Sequence, residues 1–270
     1  MQTRRSWLTV DQGNTSLDVV WFRASEGTVE VVESWRDLAI ADLPKFEGVP
    51  RETECQVAVS SVAGRPARKA LMGMLEMTWP RVVAPLSGLE LCVDTPETTG
   101  VDRLFAARAA SELAGKRSAI VVDVGTAMTV DLVQSAAFMG GAIAPGPGLL
   151  ARALGRGGAQ LFEVEPRPGA RALGKSTREA LEAGVVVGLR GAARELVEQL
   201  RAAASEPADV FVTGGARELL LDPQPFLAGR LLEVPLLVHL GLLYASGFEG
   251  HVAAGSDRDS LVRKREPLSA

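Results

Sequence analysis

One segment of this chain occurs twice. Residues 10–20 read VDQGNTSLDVV, and about 110 residues downstream residues 122–133 read VDVGTAMTVDLV. Each copy has Val-Asp-x-Gly, a hydroxyl-bearing turn and a second aspartate before another apolar run. β-Branched and apolar residues flank each turn, so each copy reads as strand, polar turn, strand. Two such units at this separation predict two related α/β halves, each presenting one acidic glycine turn. A third glycine turn, Thr213-Gly214-Gly215, follows the apolar run ADVFV.

The turns hold more polar chemistry than reversal of the chain requires. Glycine lets backbone N–H groups approach a phosphate without a Cβ in the way, and Asn or Thr side chains add donors. An aspartate beside a phosphate needs a cation between the two charges, or else organises the turn through its own hydrogen bonds. Two turns gripping a polyphosphate with a bridging metal would suit nucleotide-dependent phosphoryl transfer, where positioning and charge stabilisation dominate. Either turn alone is equally a polar hairpin.

Between and after the turns the chain alternates strands and helices. Leu8–Val10 with Leu17–Phe22 make the first hairpin, 55–63 a strand with a Ser-rich turn, and 81–86 a short strand. Residues 100–115 have helical spacing ended by Gly115. Residues 118–134 make the second hairpin, 140–148 a tight loop before a short helix, and 177–204 one long helix or two. Residues 208–216 form a strand, 235–247 a buried helix, and the charged stretch from Ser256 a frayed tail. The expected domains are 1–115 and 116–255, with 256–270 as a disordered tail.

Composition narrows the function. The 270 residues are 47% hydrophobic and 23% charged, with a formal net charge of −4. Nucleic-acid binding is not expected, since that usually needs a basic excess. The start MQTRRSW lacks the apolar core of a secretory segment, and no apolar run is long enough to span a bilayer. A cytoplasmic protein with free Cys55 and Cys92 is expected. With only His239 and His251, a His-rich metal site or Ser-His-Asp triad has little material. His239 reads as a helix residue.

The order and spacing of the motifs resemble the type III pantothenate kinases. They are Asp11-x-Gly13-Asn14-Thr15, GVDR at 100–103, VVDVGTAMTVD at 121–131, GGAIAPG at 140–146, LGKST at 173–177 and TGG at 213–215. The likeness extends over about residues 8–247. It implies two similar actin- and sugar-kinase-like (ribonuclease H-like) α/β domains around a central cleft, each on a mixed five-stranded sheet flanked by helices. It implies phosphorylation of pantothenate by ATP to 4′-phosphopantothenate, the first step toward coenzyme A. Asp11, Gln12, Gly13, Asn14, Thr15, Ser16, Leu17 and Asp18 would form the first phosphate loop, and Thr126 would touch ATP. Gly100, Val101, Asp102 and Arg103 would hold pantothenate, with Asp102 as general base and Thr177 as a further contact. Asp123 would bind potassium or ammonium, Mg²⁺ would accompany ATP, and the protein would be a homodimer. Tyr, often found in the family at the place of Val93, is absent, which weakens the assignment of substrate.

Other readings stand beside these. Asp102 is equally an acid in a first helical turn, Arg103 a surface cation, and Thr177 a helix cap. GARALGKS at 169–176 fits the P-loop pattern, but FEVEPRP before it cannot be the buried strand that a P-loop needs. Related functions would be a kinase for another small alcohol, a phosphatase, or a non-enzymatic regulatory accessory factor. The retained Asp102 argues against the last.

Overall fold

The structure is a computed structural model that describes residues 5–25, 27–46, 48–51, 55–158, 160–227, 230–252, 254–255 and 260–265. Two compact units emerge. The first comprises residues 1–90, 94–113 and 237–252, and the second 91–93, 114–236 and 253–270.

The first unit is built on five strands: β1 (Arg5–Gln12), β2 (Leu17–Ser25), β3 (Thr28–Trp35), β4 (Cys55–Ser61) and β5 (Val82–Val83). Their order is β3-β2-β1-β4-β5. β1 to β3 form an antiparallel meander, and β4 and β5 join in parallel. The central strand β1 is buried on both faces, so it reads as a nearly continuous apolar run. On one face Leu8, Val10, Val57 and Val59 pack with Leu71 and Leu75. Those two leucines belong to α1 (Arg65–Thr78), a helix that the sequence reading passed over. The other face carries α2 (Val101–Leu113) and α6 (Leu237–Ala245). Gly241 of α6 meets α2 so closely that a Cβ there would collide with the Phe105 backbone.

That crossing corrects the expected boundaries. Residues 237–252 lie with the first unit rather than within a 116–255 domain, because α6 buries its apolar surface against α2 and β1. Residues 91–93 lie with the second unit.

The second unit repeats the same plan. Its strands are β7 (Ala119–Val124), β8 (Ala127–Gln134), β9 (Ala137–Pro145), β10 (Asp209–Thr213) and β11 (Leu231–Glu233), with helices α3 (Pro147–Gly157), α4 (Thr177–Ala203) and α5 (Glu218–Leu221). The order β9-β8-β7-β10-β11 and its strand directions reproduce those of the first sheet. Three further strands make this sheet eight-stranded rather than five: β6 (Glu90–Leu91) beside β9, and β13 (Val262–Arg265) and β12 (Ala254–Gly255) beyond β11. Val186, Leu189, Ala193 and Val197 of α4 pack in one apolar core with Ile120, Val122, Met128 and Val130.

Two local expectations change. Residues 140–145 are part of β9, not a loop. Gly141 sits where a Cβ would collide with the Val130 carbonyl and Asp131, so the glycine serves close strand approach rather than a turn. In the expected tail, Val262–Arg265 is an ordered strand with Val262 buried. Residues 256–259 and 266–270 of that tail lie outside the described residues.

Candidate active site

In the first unit the repeated motif begins inside the sheet. β1 extends through Asp11 and Gln12, and the reversal is confined to Gly13–Ser16, closed by Gly13 N–H donating to the Ser16 carbonyl at 2.9 Å. Asn14 and Thr15 are exposed at the tip. Asp11 pairs with Asp18 across β1 and β2, and with Ser60 across β1 and β4. Gln12 is buried and accepts a 2.8 Å hydrogen bond from Ser61 Oγ through Oε1. Asp18 accepts from Asp37 N–H at 3.0 Å through Oδ1. Burial raises its pKa, the Asp37 N–H and the Arg36 charge opposing that shift. Leu17 belongs to the apolar core. The Ser60–Ser61 pair went unassigned in the sequence; its signal was a buried strand ending in two hydroxyls.

The GVDR segment opens α2. Its approach is a 3₁₀ turn, Pro96–Thr98, and Gly100 accepts from Leu104 N–H at 3.3 Å. Asp102 Oδ1 accepts from Arg103 N–H at 2.8 Å. A Cβ on Gly100 would lie 2.5 Å from that oxygen. Glycine at this position therefore makes room for the carboxylate in the first turn, where an anion is favoured by the exposed N–H groups. Asp102 and Arg103 are half-buried and Val101 is exposed.

In the second unit the corresponding turn is tighter. β7 ends at Val124 and β8 begins at Ala127, leaving Gly125 and Thr126, with Gly125 N–H donating to the Ala127 carbonyl at 2.9 Å. Two other glycines press against it. A Cβ on Gly146 would collide with the Gly125 and Thr126 carbonyls, and one on Gly214 with the Asp123 carboxylate and Val124 carbonyl. Gly214 also takes φ +92°, which favours glycine. Gly146 N–H donates to the Thr126 carbonyl at 3.1 Å, and Ala216 N–H to the Val124 carbonyl at 2.9 Å. The motifs GGAIAPG and TGG thus converge on the Asp123–Thr126 turn. Asp123 is half-buried and Thr126 exposed. The second aspartates of the repeat differ in place. Asp18 is the second residue of β2, whereas Asp131 is buried midway along β8.

A cavity of about 310 Å³ opens beside this turn, lined by Pro147, Gly148, Gly215, Ala216, Glu218 and Leu219. α3 begins at its wall with Gly146 as N-cap, and a helix N-terminus favours anions. The Asp123 carboxylate and the Val124 carbonyl both lie against Gly214, and oxygen ligands of this kind suit a hard cation. Among the described residues no group of three or more His, Cys, Asp or Glu could hold a metal ion. A divalent ion would therefore need further ligands, such as phosphate oxygens.

Thr177 and Val93 also lie in the second unit. The N-cap of α4 is Ser176, whose Oγ accepts from Glu179 N–H at 3.2 Å, so exposed Thr177 is not the cap. Gly174 approaches the Glu179–Ala180 backbone too closely for any Cβ. Val93 faces Gly140: a Cβ there would stand 3.4 Å from Val93 Cγ1. No strand leads into residues 169–176, which excludes the P-loop architecture. Cys55 and Cys92 are free thiols, and burial pushes the Cys55 thiol up to about 12. His239 is a buried residue of α6, as its sequence context implied.

A family model for type III pantothenate kinase matches residues 7–199. A type III pantothenate kinase from Nocardia farcinica is 36% identical over 234 residues, covering 79% of this chain and 88% of that protein. One from Thermus thermophilus is 33% identical over 229 residues, with the same coverage. One from Parafrankia sp. is 38% identical over 162 residues, covering 57% of this chain and 64% of that protein. Among solved structures, a Baf family transcriptional activator from Campylobacter jejuni superposes with a TM-score of 0.57 at 18% identity, covering 88% of this chain and 96% of that one. The ethanolamine utilization protein EutJ from Carboxydothermus hydrogenoformans gives 0.51 at 17% identity, covering 88% of each chain. These structural likenesses show the fold, which is actin- and sugar-kinase-like. With its duplicated sheet, its paired acidic turns and these sequence matches, the chain belongs to the type III pantothenate kinase family, kinases that transfer phosphate to pantothenate.

Proposed function

We propose that this protein transfers the γ-phosphate of ATP to the primary hydroxyl of pantothenate, yielding 4′-phosphopantothenate and ADP. The observation that carries this reading is the placement of Asp11 and Asp123, near the ends of the central strands of two sheets with one strand order, each beside a glycine turn. In the first unit Asn14, Thr15 and Ser16 with the Gly13 backbone supply donors suited to phosphate, and in the second unit Thr126 does. The N-terminus of α3 adds its favourable field. The 310 Å³ cavity beside Gly215 takes the rest of the nucleotide.

Gly100, Val101, Arg103 and Thr177 orient pantothenate. Asp102 takes the hydroxyl proton as the new P–O bond forms and the bond from the γ-phosphorus to the β–γ bridging oxygen breaks. A base positioned in this way contributes about 10²–10⁴-fold. Mg²⁺ bound with ATP, and potassium or ammonium at Asp123, would offset phosphate charge.

Assembly as a homodimer belongs to the same proposal. Gly184, Gly188 and Gly191 open onto free space on α4 beside exposed Val187, a surface that a second copy could approach closely. We place the reaction in the cytoplasm. No helix among the described residues is long and apolar enough to cross a membrane.

Val93 favours a second reading, a kinase for another small alcohol, because its side chain offers no hydrogen bond to pantothenate. A coupled assay of ADP release decides between them. Release dependent on pantothenate supports the first. Release that pantothenate does not stimulate, but another small alcohol does, supports the second.

A further inference from the structure

Glu233, the last residue of β11, is 1% exposed, and three arginines converge on it. Arg217 Nε donates to Oε1 at 2.8 Å, Arg263 Nη1 approaches the same oxygen at 3.4 Å, and Arg265 Nε donates to Oε2 at 2.7 Å. Burial raises the Glu233 pKa, but the hydrogen bonds and charges of Arg217 and Arg265 outweigh it and hold the carboxyl below its ordinary value. A buried ion cluster is often no more stabilising than apolar packing of the same volume, so what the cluster holds in place deserves an explanation.

Arg217 is the link. Its side chain is 12% exposed, and its Nη1 donates to the Gly214 carbonyl at 3.1 Å while its Nε holds Glu233. The backbone N–H of Arg217 reaches the same carbonyl at 3.4 Å. The peptide joining Gly214 to Gly215 is planar and trans. A carbonyl fixed on the guanidinium therefore turns the Gly215 N–H the opposite way. Gly215 lines the 310 Å³ cavity. Two consecutive glycines would otherwise let this peptide rotate at little cost.

We propose that Arg217 and Glu233 are positioning residues of the nucleotide site: they fix the Gly214–Gly215 peptide with its N–H toward the cavity. This rests on the reading that the cavity takes ATP. Strand β13 completes the device by delivering Arg263 and Arg265 to the buried acid. The C-terminal segment thereby acts on nucleotide binding from behind the turn. All four charged residues lie beyond residues 7–199, the part that the family model matches.

The test is steady-state kinetics with ATP and pantothenate varied separately, together with equilibrium titration of the full-length protein by ATP. Arg217→Met keeps the aliphatic stem and removes both hydrogen bonds. It should raise the ATP KM about tenfold, the scale of one lost charge-assisted bond, and leave the pantothenate KM unchanged. Arg217→Lys, which can reach only one partner, should recover part of the loss. A folded Arg217→Met with unchanged ATP KM, or with both KM values raised alike, overturns the positioning role while ATP binding by the wild type stands. Failure of the wild type to bind ATP sinks the nucleotide reading and this inference with it. If Arg217→Met does not fold, Arg265→Gln decides: its side chain is 34% exposed, an ATP-specific rise of about threefold is expected, and no rise overturns the proposal.

Discussion

Ser61 Oγ donates a 2.8 Å hydrogen bond to Oε1 of Gln12, at the last paired rung of β1 and β4. Val62 N–H donates to the Gln12 carbonyl at 3.0 Å, so the residue before the first glycine turn is tied through both side chain and backbone. Ser61→Ala removes one neutral bond, worth about 0.5–1.5 kcal/mol. If the tie serves the turn, the ATP KM rises about two- to tenfold while the pantothenate KM holds. Initial-rate kinetics check this; a drop in melting temperature with unaltered kinetics would make the pair purely structural.

Asp102 owes its place to Gly100, which leaves space for Oδ1, and to the Arg103 N–H that the same oxygen accepts. Asp102→Asn retains the shape and removes the proposed base. Turnover should fall about 10²–10⁴-fold with folding intact. Wild-type rates of ADP release from the variant at saturating substrates would remove Asp102 from the chemistry.

The proposed cation site is Asp123, whose carboxylate lies with the Val124 carbonyl against Gly214. If phosphate binds beside it, the carboxylate repels the nucleotide without a cation and attracts it through one. Replacing potassium with a bulky organic cation at constant ionic strength should therefore abolish turnover. Asp123→Ala should make the remaining activity indifferent to potassium. Full wild-type activity in the organic-cation buffer rules the site out.

His239 sets a pH dependence of stability. Thr9 Oγ1 donates to the Val20 carbonyl at 3.2 Å and lies within hydrogen-bond distance of His239 Nδ1, at 2.9 Å. Burial, with the nearby Arg36 charge, pushes the imidazole down to about 3 despite an opposing hydrogen bond with the Thr9 backbone. The unfolded chain takes up this proton near pH 6.5 and the folded chain does not. Stability from this group is complete above pH 6.5 and declines as pH falls toward 3, by up to about 1.4 kcal/mol per unit. Chemical denaturation at pH 7, 6 and 5 should show wild type losing more than His239→Asn. Parallel curves would show that the imidazole takes up its proton alike in the folded and unfolded chain, which overturns the prediction.

Much of this arrangement was legible because duplication is written in short-range pattern. Val-Asp-x-Gly flanked by apolar runs reports a hairpin wherever it occurs, and two copies give two sheets. What escaped depends on contacts distant in sequence. Helix α1 buries only Leu71 and Leu75 fully, too thin a stripe to stand out among Arg65, Arg68 and Lys69. Gly140 and Gly141 look like a turn until the Val130 backbone is beside them. The return of α6 to the first unit rests on burial against α2 and β1, with Gly241 meeting Phe105. The strand VRKR looks like frayed tail because the acid that orders it, Glu233, lies about 30 residues earlier. At the candidate site, motif alone pointed to Asp102 and Asp123, whose roles are proposals. The convergence of Gly146 and Gly214 on the Asp123 turn required the sheet.

The P-loop-like run GARALGKS shows the reverse case, a motif without its architecture. Residues 169–176 are irregular, and Lys175 is exposed, its backbone N–H donating to Glu179 Oε2 at 2.6 Å. In a P-loop the lysine pairs directly with the β- and γ-phosphates, and its loss cripples nucleotide use. Here Gly174 is explained by close packing on the first turn of α4, and Ser176 by capping that helix. The lysine side chain has no part in either. Lys175→Ala should therefore change ATP affinity less than twofold, within the range of an ordinary surface substitution. ATP titration of the folded variant is the measurement. A hundredfold weaker dissociation constant would place the triphosphate at residues 169–176, and Asp11→Ala binding ATP normally would overturn the proposed role of the Asp11 turn.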